Sequence, residues 1–169
     1  MTTNSEEGKK IQPTLSADQI HHVEAFVEDM CDQYNINNAY FGHMMFAVTE
    51  MFTQACMVSD SGKETIGIQF SSDRDALRFH FDLGGVYPDL ASKCKIKEEI
   101  LLNKDELAVE EEGFLAMELL CDDIQLQPDN KSIELVFNIS SINKVLRNKR
   151  VRALENYYAG LVVQQRASS

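Results

Sequence analysis

The stretch HMMFAVTEMFTQACMV, residues 43–58, has no glycine or proline and is rich in methionine, phenylalanine and alanine. Its polar residues Glu50 and Gln54 are four positions apart, so they lie one turn apart on one helix face. A side-chain hydrogen bond at the edge of the core accounts for such a pair. The pair is also accounted for by a functional helix that presents a carboxylate and an amide to a metal-bound phosphate. Its apolar residues recur at steps of three and four, which predicts a helix with one buried side; they are Met44, Val48, Met51, Phe52 and Ala55.

Length and composition indicate one ordinary globular domain. The chain has 169 residues, of which 44% are hydrophobic and 25% charged. The N-terminus lacks the apolar segment of a secretory signal, and no apolar run is long enough to span a membrane, so we expect a cytoplasmic protein. The cysteines lie far apart, which favours buried free thiols over a zinc site; they are Cys31, Cys56, Cys94 and Cys121.

The charge is unevenly distributed along the chain. Residues 140–169 contain six basic residues and one acid, which leaves 10 basic and 26 acidic residues in 1–139, a balance of −16. Residues 1–139 are therefore strongly acidic and repel nucleic acid and anionic membranes, so neither is an expected partner. Residues 140–169 also carry apolar residues at roughly helical steps, with Tyr157 and Tyr158 among them. This pattern predicts a basic amphipathic helix that packs on protein, with a homodimer favoured over docking within one chain.

The first part of the chain is expected to reach its first helix through an edge strand. Residues 1–8 are polar and are expected to be disordered. Residues 9–15 are compatible with a short edge strand, because Pro13 is tolerated only at an edge. Ser16 is expected to be an N-cap, with Gln19 completing a capping box, for an amphipathic helix that ends near Asn35.

The remaining pattern predicts two hairpins within residues 9–139. Apolar residues alternate with polar ones in residues 66–70 and 77–81, and again in 124–126 and 133–137. Because the strands come in consecutive pairs with helices before and between the pairs, we predict an α+β fold. It is a two-layer sandwich, with an antiparallel or mixed sheet, helices on one face and an additional C-terminal helix over residues 140–169.

Three segments in this order resemble the GHKL (histidine-kinase-like) ATPase superfamily, and within it the short anti-sigma-factor serine kinases. They are AVTEMFTQA (residues 47–55), FDLGGVYPDL (residues 81–90) and EGFLAMELLCDDIQL (residues 112–126). The resemblance covers roughly residues 9–139. It implies the two-layer fold predicted above, the cofactors ATP and Mg²⁺, and a regulatory protein as partner.

The resemblance also implies roles for individual residues. Glu50 falls at the position of the catalytic base, and Gln54 at that of the asparagine that binds Mg²⁺. The implied cofactor-binding residues are Asp82, Gly84, Gly85 and Gly113.

The sequence departs from the family pattern at each motif. Gln54 is one methylene longer than asparagine, and Mg²⁺ tolerates misplaced ligands poorly. Asp82 has the opposite strand parity to Phe79 and Phe81, so an alternative register puts Leu83 at the adenine position. The sequence leaves both registers open. Residues 109–112, Val-Glu-Glu-Glu, replace the glycine-rich lid, and their carboxylates would repel a polyphosphate.

These departures favour a regulatory protein on an ATPase-like scaffold whose ATP site is degraded. Its expected partner is a protein resembling a sigma factor or an anti-anti-sigma factor. The alternative is a divergent ATP- and Mg²⁺-binding serine protein kinase in which residues 93–97, Lys-Cys-Lys-Ile-Lys, supply the missing positive charge. A metal-dependent hydrolase using Glu50 and His43 is a third reading, but it has too few ligands.

Overall fold

The computed structural model describes residues 9–34, 36, 38–73, 75–94, 109–138, 152 and 154–159. These residues form an α+β fold in which helices pack on one face of an antiparallel sheet, as predicted. The strands are β1 (Lys10–Ile11), β2 (Gly67–Ser72), β3 (Ala76–Asp82), β4 (Asp123–Gln127) and β5 (Ser132–Asn138). The helices are α1 (Ile20–Gln33), α2 (Asn38–Val58), α3 (Tyr87–Cys94) and α4 (Val109–Leu120).

The sheet has the order β1-β2-β3-β5-β4, and each neighbouring pair is antiparallel. Both predicted hairpins are present, as β2–β3 and β4–β5. In β3, Phe79 and Phe81 are fully buried and lie opposite Leu135 and Ile133 of β5. The alternate residues of β3 are polar and at least partly exposed, so one face of the sheet forms the core and the other is polar.

The core lies between this sheet and α2. Met44, Val48, Met51 and Ala55 have no exposed surface, and Phe52 is 1% exposed. The predicted buried side of the helix is therefore confirmed. α2 packs against α1 and against α4, which makes it the central helix of its layer.

The cap and the edge strand predicted before α1 differ from those in the structure. The hydroxyl of Ser16 contacts the Asp18 carboxylate instead of capping the helix, and a 3₁₀ turn, Ala17–Gln19, precedes α1. No capping box forms, since neither Ser16 nor Gln19 makes a side-chain cap hydrogen bond. β1 spans only two residues, although Thr14 forms a further isolated bridge with Thr65. α2 begins at Asn38, so it extends five residues before the quoted stretch.

Other expectations fall outside the described residues, or only partly inside them. The expected disorder of residues 1–8 lies outside the described residues. Of the predicted C-terminal helix, residue 152 and residues 154–159 are described, and they are helical. Within the described part of the chain, no helix has the length and hydropathy needed to cross a membrane.

Candidate functional site

Glu50 and Gln54 meet Lys93 at the junction of α2 and α3. The Gln54 Nε2 donates to Glu50 Oε1 at 2.9 Å, one turn away on the same helix. The Lys93 Nζ, in the last turn of α3, donates to Gln54 Oε1 at 2.8 Å. The expected hydrogen bond between the two polar residues of α2 is therefore present, and a cation from another element extends it.

The side chains of this cluster are buried or partly buried, so their hydrogen bonds are shielded from solvent. Gln54 is 1% exposed, while Glu50 and Lys93 are partly buried. A buried amide without partners is costly, by about 1–3 kcal/mol for each unsatisfied group. In Gln54 the nitrogen donates to a carboxylate and the oxygen accepts from an ammonium, so opposite charges hold the two ends of the amide.

Gly113 closes the cluster from the side of α4. A Cβ at this position would collide with the Glu50 carboxylate: it would overlap Oε1 and lie 2.9 Å from Cδ. A side chain at residue 113 would therefore require the Glu50 carboxylate to move from its observed position. Residues 109–112, the acidic segment in the place of the lid, form the first turn of α4.

Asp82, Gly84 and Gly85 lie elsewhere. Asp82 is exposed and follows the polar parity of β3, whereas Leu83 is 2% exposed and belongs to the core. Asp82 thus points away from the face that α2 covers. It lines a cleft of about 180 Å³ at the edge of the sheet, together with Gly84 and Lys10. Gly84 has a φ of +54°, and Gly85 is exposed in the short 3₁₀ turn that leads into α3.

The structure therefore divides the residues that the resemblance brings together. Glu50, Gln54 and Gly113 are adjacent, while Asp82 and Gly84 share a different cleft. The Glu50 cluster also fits Mg²⁺ poorly. The carbonyl oxygen that would bind the metal accepts a hydrogen bond from the Lys93 ammonium, and a divalent cation there would have to displace that positive charge.

Sequence reasoning missed the contact between Lys93 and Gln54 and also missed helix α3. In the sequence Lys93 belongs to the basic run 93–97, which the kinase alternative uses as its source of positive charge. The available signal was Tyr87, Leu90 and Ala91, whose spacing of three and four matches the side of α3 that is buried. Without the sheet, nothing in the sequence brings residue 93 to residue 54.

Among the residues that the structure describes, no three His, Cys, Asp or Glu side chains come together at a possible metal site. Cys31 and Cys121 are buried, and Cys56 and Cys94 are partly buried. Burial raises the pKa of Cys31 to about 11, and it also raises the pKa of Cys56. Both thiols therefore stay neutral at physiological pH. No protein-family model matches the chain, and no curated protein matches it significantly.

Proposed function

We propose that this protein is a regulator that binds a protein partner on a histidine-kinase-like ATPase scaffold and does not use ATP chemistry. In this proposal it acts as anti-sigma factors do, with a partner that resembles a sigma factor or an anti-anti-sigma factor, and it works as a homodimer. The α+β architecture and the order of the three motifs support the scaffold. The partner class follows from the resemblance.

The contact between Lys93 Nζ and Gln54 Oε1, at 2.8 Å, is the observation that carries the proposal. The base and metal-ligand positions of the resembled site are Glu50 and Gln54, and here each is held by a hydrogen bond within the chain. A ligand that recruited them would have to break a buried, charge-assisted network. The network therefore supports a structural role for these residues and a partner-binding role for the protein.

The alternative is a divergent ATP-binding serine protein kinase. The feature that favours this alternative is the positive charge of Lys93. An ammonium beside Glu50 could pair with a phosphate, because lysine acts as a point charge in many phosphate sites. In that alternative Lys93 would have to leave Gln54 when the nucleotide enters, and Asp82 would take no part in adenine binding from the opposite face of the sheet.

Thermal melting of the full-length protein with and without Mg-ATP distinguishes the two candidates. A ligand at a hundredfold excess over its Kd stabilises a protein by about 2.7 kcal/mol. We expect no shift in the melting temperature. A clear rise that Glu50→Ala or Gln54→Ala abolishes, and that the matched exposed substitution Thr53→Ala leaves intact, would establish the kinase alternative.

A further inference from the structure

β4 is one of the two edges of the sheet, and half of its backbone groups point away from β5. The Leu83 N–H donates to the Lys131 carbonyl at 3.0 Å, so these two residues form a hydrogen-bonded pair where β3 and β5 meet. Because such pairs alternate along an antiparallel ladder, β5 bonds to β3 through residues 133, 135 and 137, and to β4 through residues 132, 134 and 136. On β4 the residues opposite the latter three are 127, 125 and 123, so the N–H and C=O groups of Ile124 and Leu126 point outward.

The surroundings of Ile124 and Leu126 agree with this orientation. The Ile124 N–H donates to the carboxylate of its own neighbour, Asp123, at 2.9 Å, as expected for a group with no β5 carbonyl in front of it. The side chains of Ile124 and Leu126 are partly exposed, whereas Leu135 and Ile133, directly opposite on β5, are fully buried. Among the residues that the structure describes, only β5 pairs with β4. This edge therefore has outward hydrogen-bonding groups and apolar surface that a further strand would cover.

The two edges of the sheet differ in how they resist the addition of a strand. At the β1 edge, Lys10 lies in the strand and Pro13 follows it shortly afterwards. An edge lysine and an edge proline are common devices against unwanted strand pairing, since the one carries charge and the other lacks an N–H. β4, with the sequence DIQLQ, contains neither, and its one charged residue is Asp123 at the end of the strand. β4 is therefore the edge that is open to pairing.

The sequence of β4 is complementary to itself in one antiparallel register, with a two-fold axis at Gln125. In this register Ile124 of one copy lies opposite Leu126 of the other, and the two exchange their outward N–H and C=O groups. Asp123 lies opposite Gln127, so no carboxylate faces another and the glutamine amide can donate to the aspartate. The apolar side chains of the two strands meet on the core face, and the polar ones meet on the polar face.

We propose that β4 pairs with β4 of a second copy of this chain about that axis, which joins two five-stranded sheets into one continuous antiparallel sheet. The proposal rests on the proposed function and deepens it, because it names the interface of the homodimer. A ladder of five residues is small for a stable interface. The basic segment 140–169, which is expected to pack on protein in the same dimer, adds contact area and offsets repulsion between the acidic bodies.

Cysteine cross-linking of the full-length protein tests the position of the axis. Residues that face each other in a non-hydrogen-bonded antiparallel pair have Cα atoms about 4.5 Å apart, which suits a disulfide. With oxidised glutathione, Gln125→Cys should therefore form a covalent dimer on non-reducing electrophoresis. Asp123→Cys and Gln127→Cys should each fail to do so alone, whereas an equimolar mixture of the two should cross-link. The wild type under the same oxidant is the control for the four native cysteines.

Charge at position 125 tests the same axis without a covalent bond. Gln125→Lys and Gln125→Glu each place like charges opposite each other, so each should raise the Kd of the dimer about fivefold or more. An equimolar mixture of the two variants should restore the wild-type Kd, which sedimentation equilibrium measures. Thr53 is exposed on α2, so Thr53→Lys and Thr53→Glu are the matched controls and should leave the Kd within about twofold. Circular dichroism confirms that each variant is folded.

The possible results separate this interface from the proposed function. A dimeric wild type whose Gln125→Cys variant cross-links no faster than Asp123→Cys would overturn the β4 interface and leave the proposed function standing. A monomeric wild type would overturn both the interface and the homodimer of the proposed function. A stabilising effect of Mg-ATP would instead overturn the proposed regulator without ATP chemistry, and the cross-linking pattern would still decide the interface.

Discussion

A single side chain, Gln54, is held at both ends of its amide by charged groups from two helices. Either substitution, Gln54→Leu or Lys93→Met, removes the hydrogen bond that joins these two residues, so their effects on the free energy of unfolding should not add. We expect a coupling energy of about 1 kcal/mol, measured by urea denaturation of the two single variants and the double variant. Lys63 is exposed, so Gln54→Leu combined with Lys63→Met is the control and should show additivity. Additivity in both cycles would contradict the Lys93 contact.

Gly42 and Gly84 can be compared directly, because a Cβ at either residue would meet no atom within 4 Å. Gly42 lies within α2 and a Cβ there meets open space, so Gly42→Ala should stabilise the protein by about 0.5–1 kcal/mol through helix propensity. Gly84 also has open space around a Cβ, but its φ is +54°. Gly84→Ala should therefore destabilise by about 1 kcal/mol or more. Urea denaturation that gives the two substitutions the same sign would contradict these backbone assignments.

At the scale of the element, the two sides of α2 should differ sharply. Phe52 is 1% exposed in the core, whereas Phe46 is 37% exposed on the opposite side of the helix. Phe52→Ala is expected to lower the free energy of unfolding by about 3–5 kcal/mol, because it removes a large buried aromatic and leaves a cavity. Phe46→Ala, the same chemical change, should cost less than about 1 kcal/mol. A small effect of Phe52→Ala would mean that the helix is turned differently.

The turn between β2 and β3 should respond to acid. The Asp73 Oδ1 accepts the backbone N–H groups of Asp75 and Ala76, both at 2.8 Å. The hydrogen bond from Asp75, and then that from Ala76, lowers the pKa of the Asp73 carboxyl below its usual 3.8. A depressed folded-state pKa means that this stabilisation is complete above pH 3.8 and is lost as the pH falls through the lower folded-state value.

Urea denaturation at a series of pH values, with Asp73→Asn for comparison, measures this contribution. Asparagine keeps the acceptor oxygen but does not titrate, so the wild type should be more stable at neutral pH and should lose that advantage at acid pH. A difference that stays constant down to the most acid pH would show that the turn does not depend on the charge of Asp73.

At the scale of the whole molecule, the C-terminal segment is basic and the rest of the chain is acidic. Deleting residues 141–169 removes six basic residues and one acid, and leaves a body with a charge of −16. If that segment packs on protein and supports a homodimer, the deletion should lower the solution mass, the solubility or both. Light scattering of the full-length and truncated proteins tests this. A truncated protein that stays soluble, folded and in the same assembly state would refute the dimer role.

The sequence by itself determined the elements whose pattern is strong and local. The apolar period of residues 43–58 is confirmed as the buried side of α2, and the alternation in β2, β3, β4 and β5 is confirmed as two hairpins. These patterns succeed because burial of one helix side or one strand face is written into residues three, four or two positions apart. The parity of β3 likewise put Asp82 and Leu83 on opposite sides, although it could not choose between the two registers.

Only the tertiary structure decided what these elements bring together. Lys93 reaches Gln54 across 39 positions of sequence, and α4 approaches Glu50 through Gly113. No periodicity encodes such contacts, because they depend on how helices from separate segments pack over one sheet. The same packing sends Asp82 to the polar face, away from Glu50, and leaves Phe46 and Met57 exposed while their neighbours on α2 are buried. A residue's position in the sequence determines on which side of its own helix or strand its side chain lies. Which residues of other elements that side chain contacts is determined only when the helices pack on the sheet.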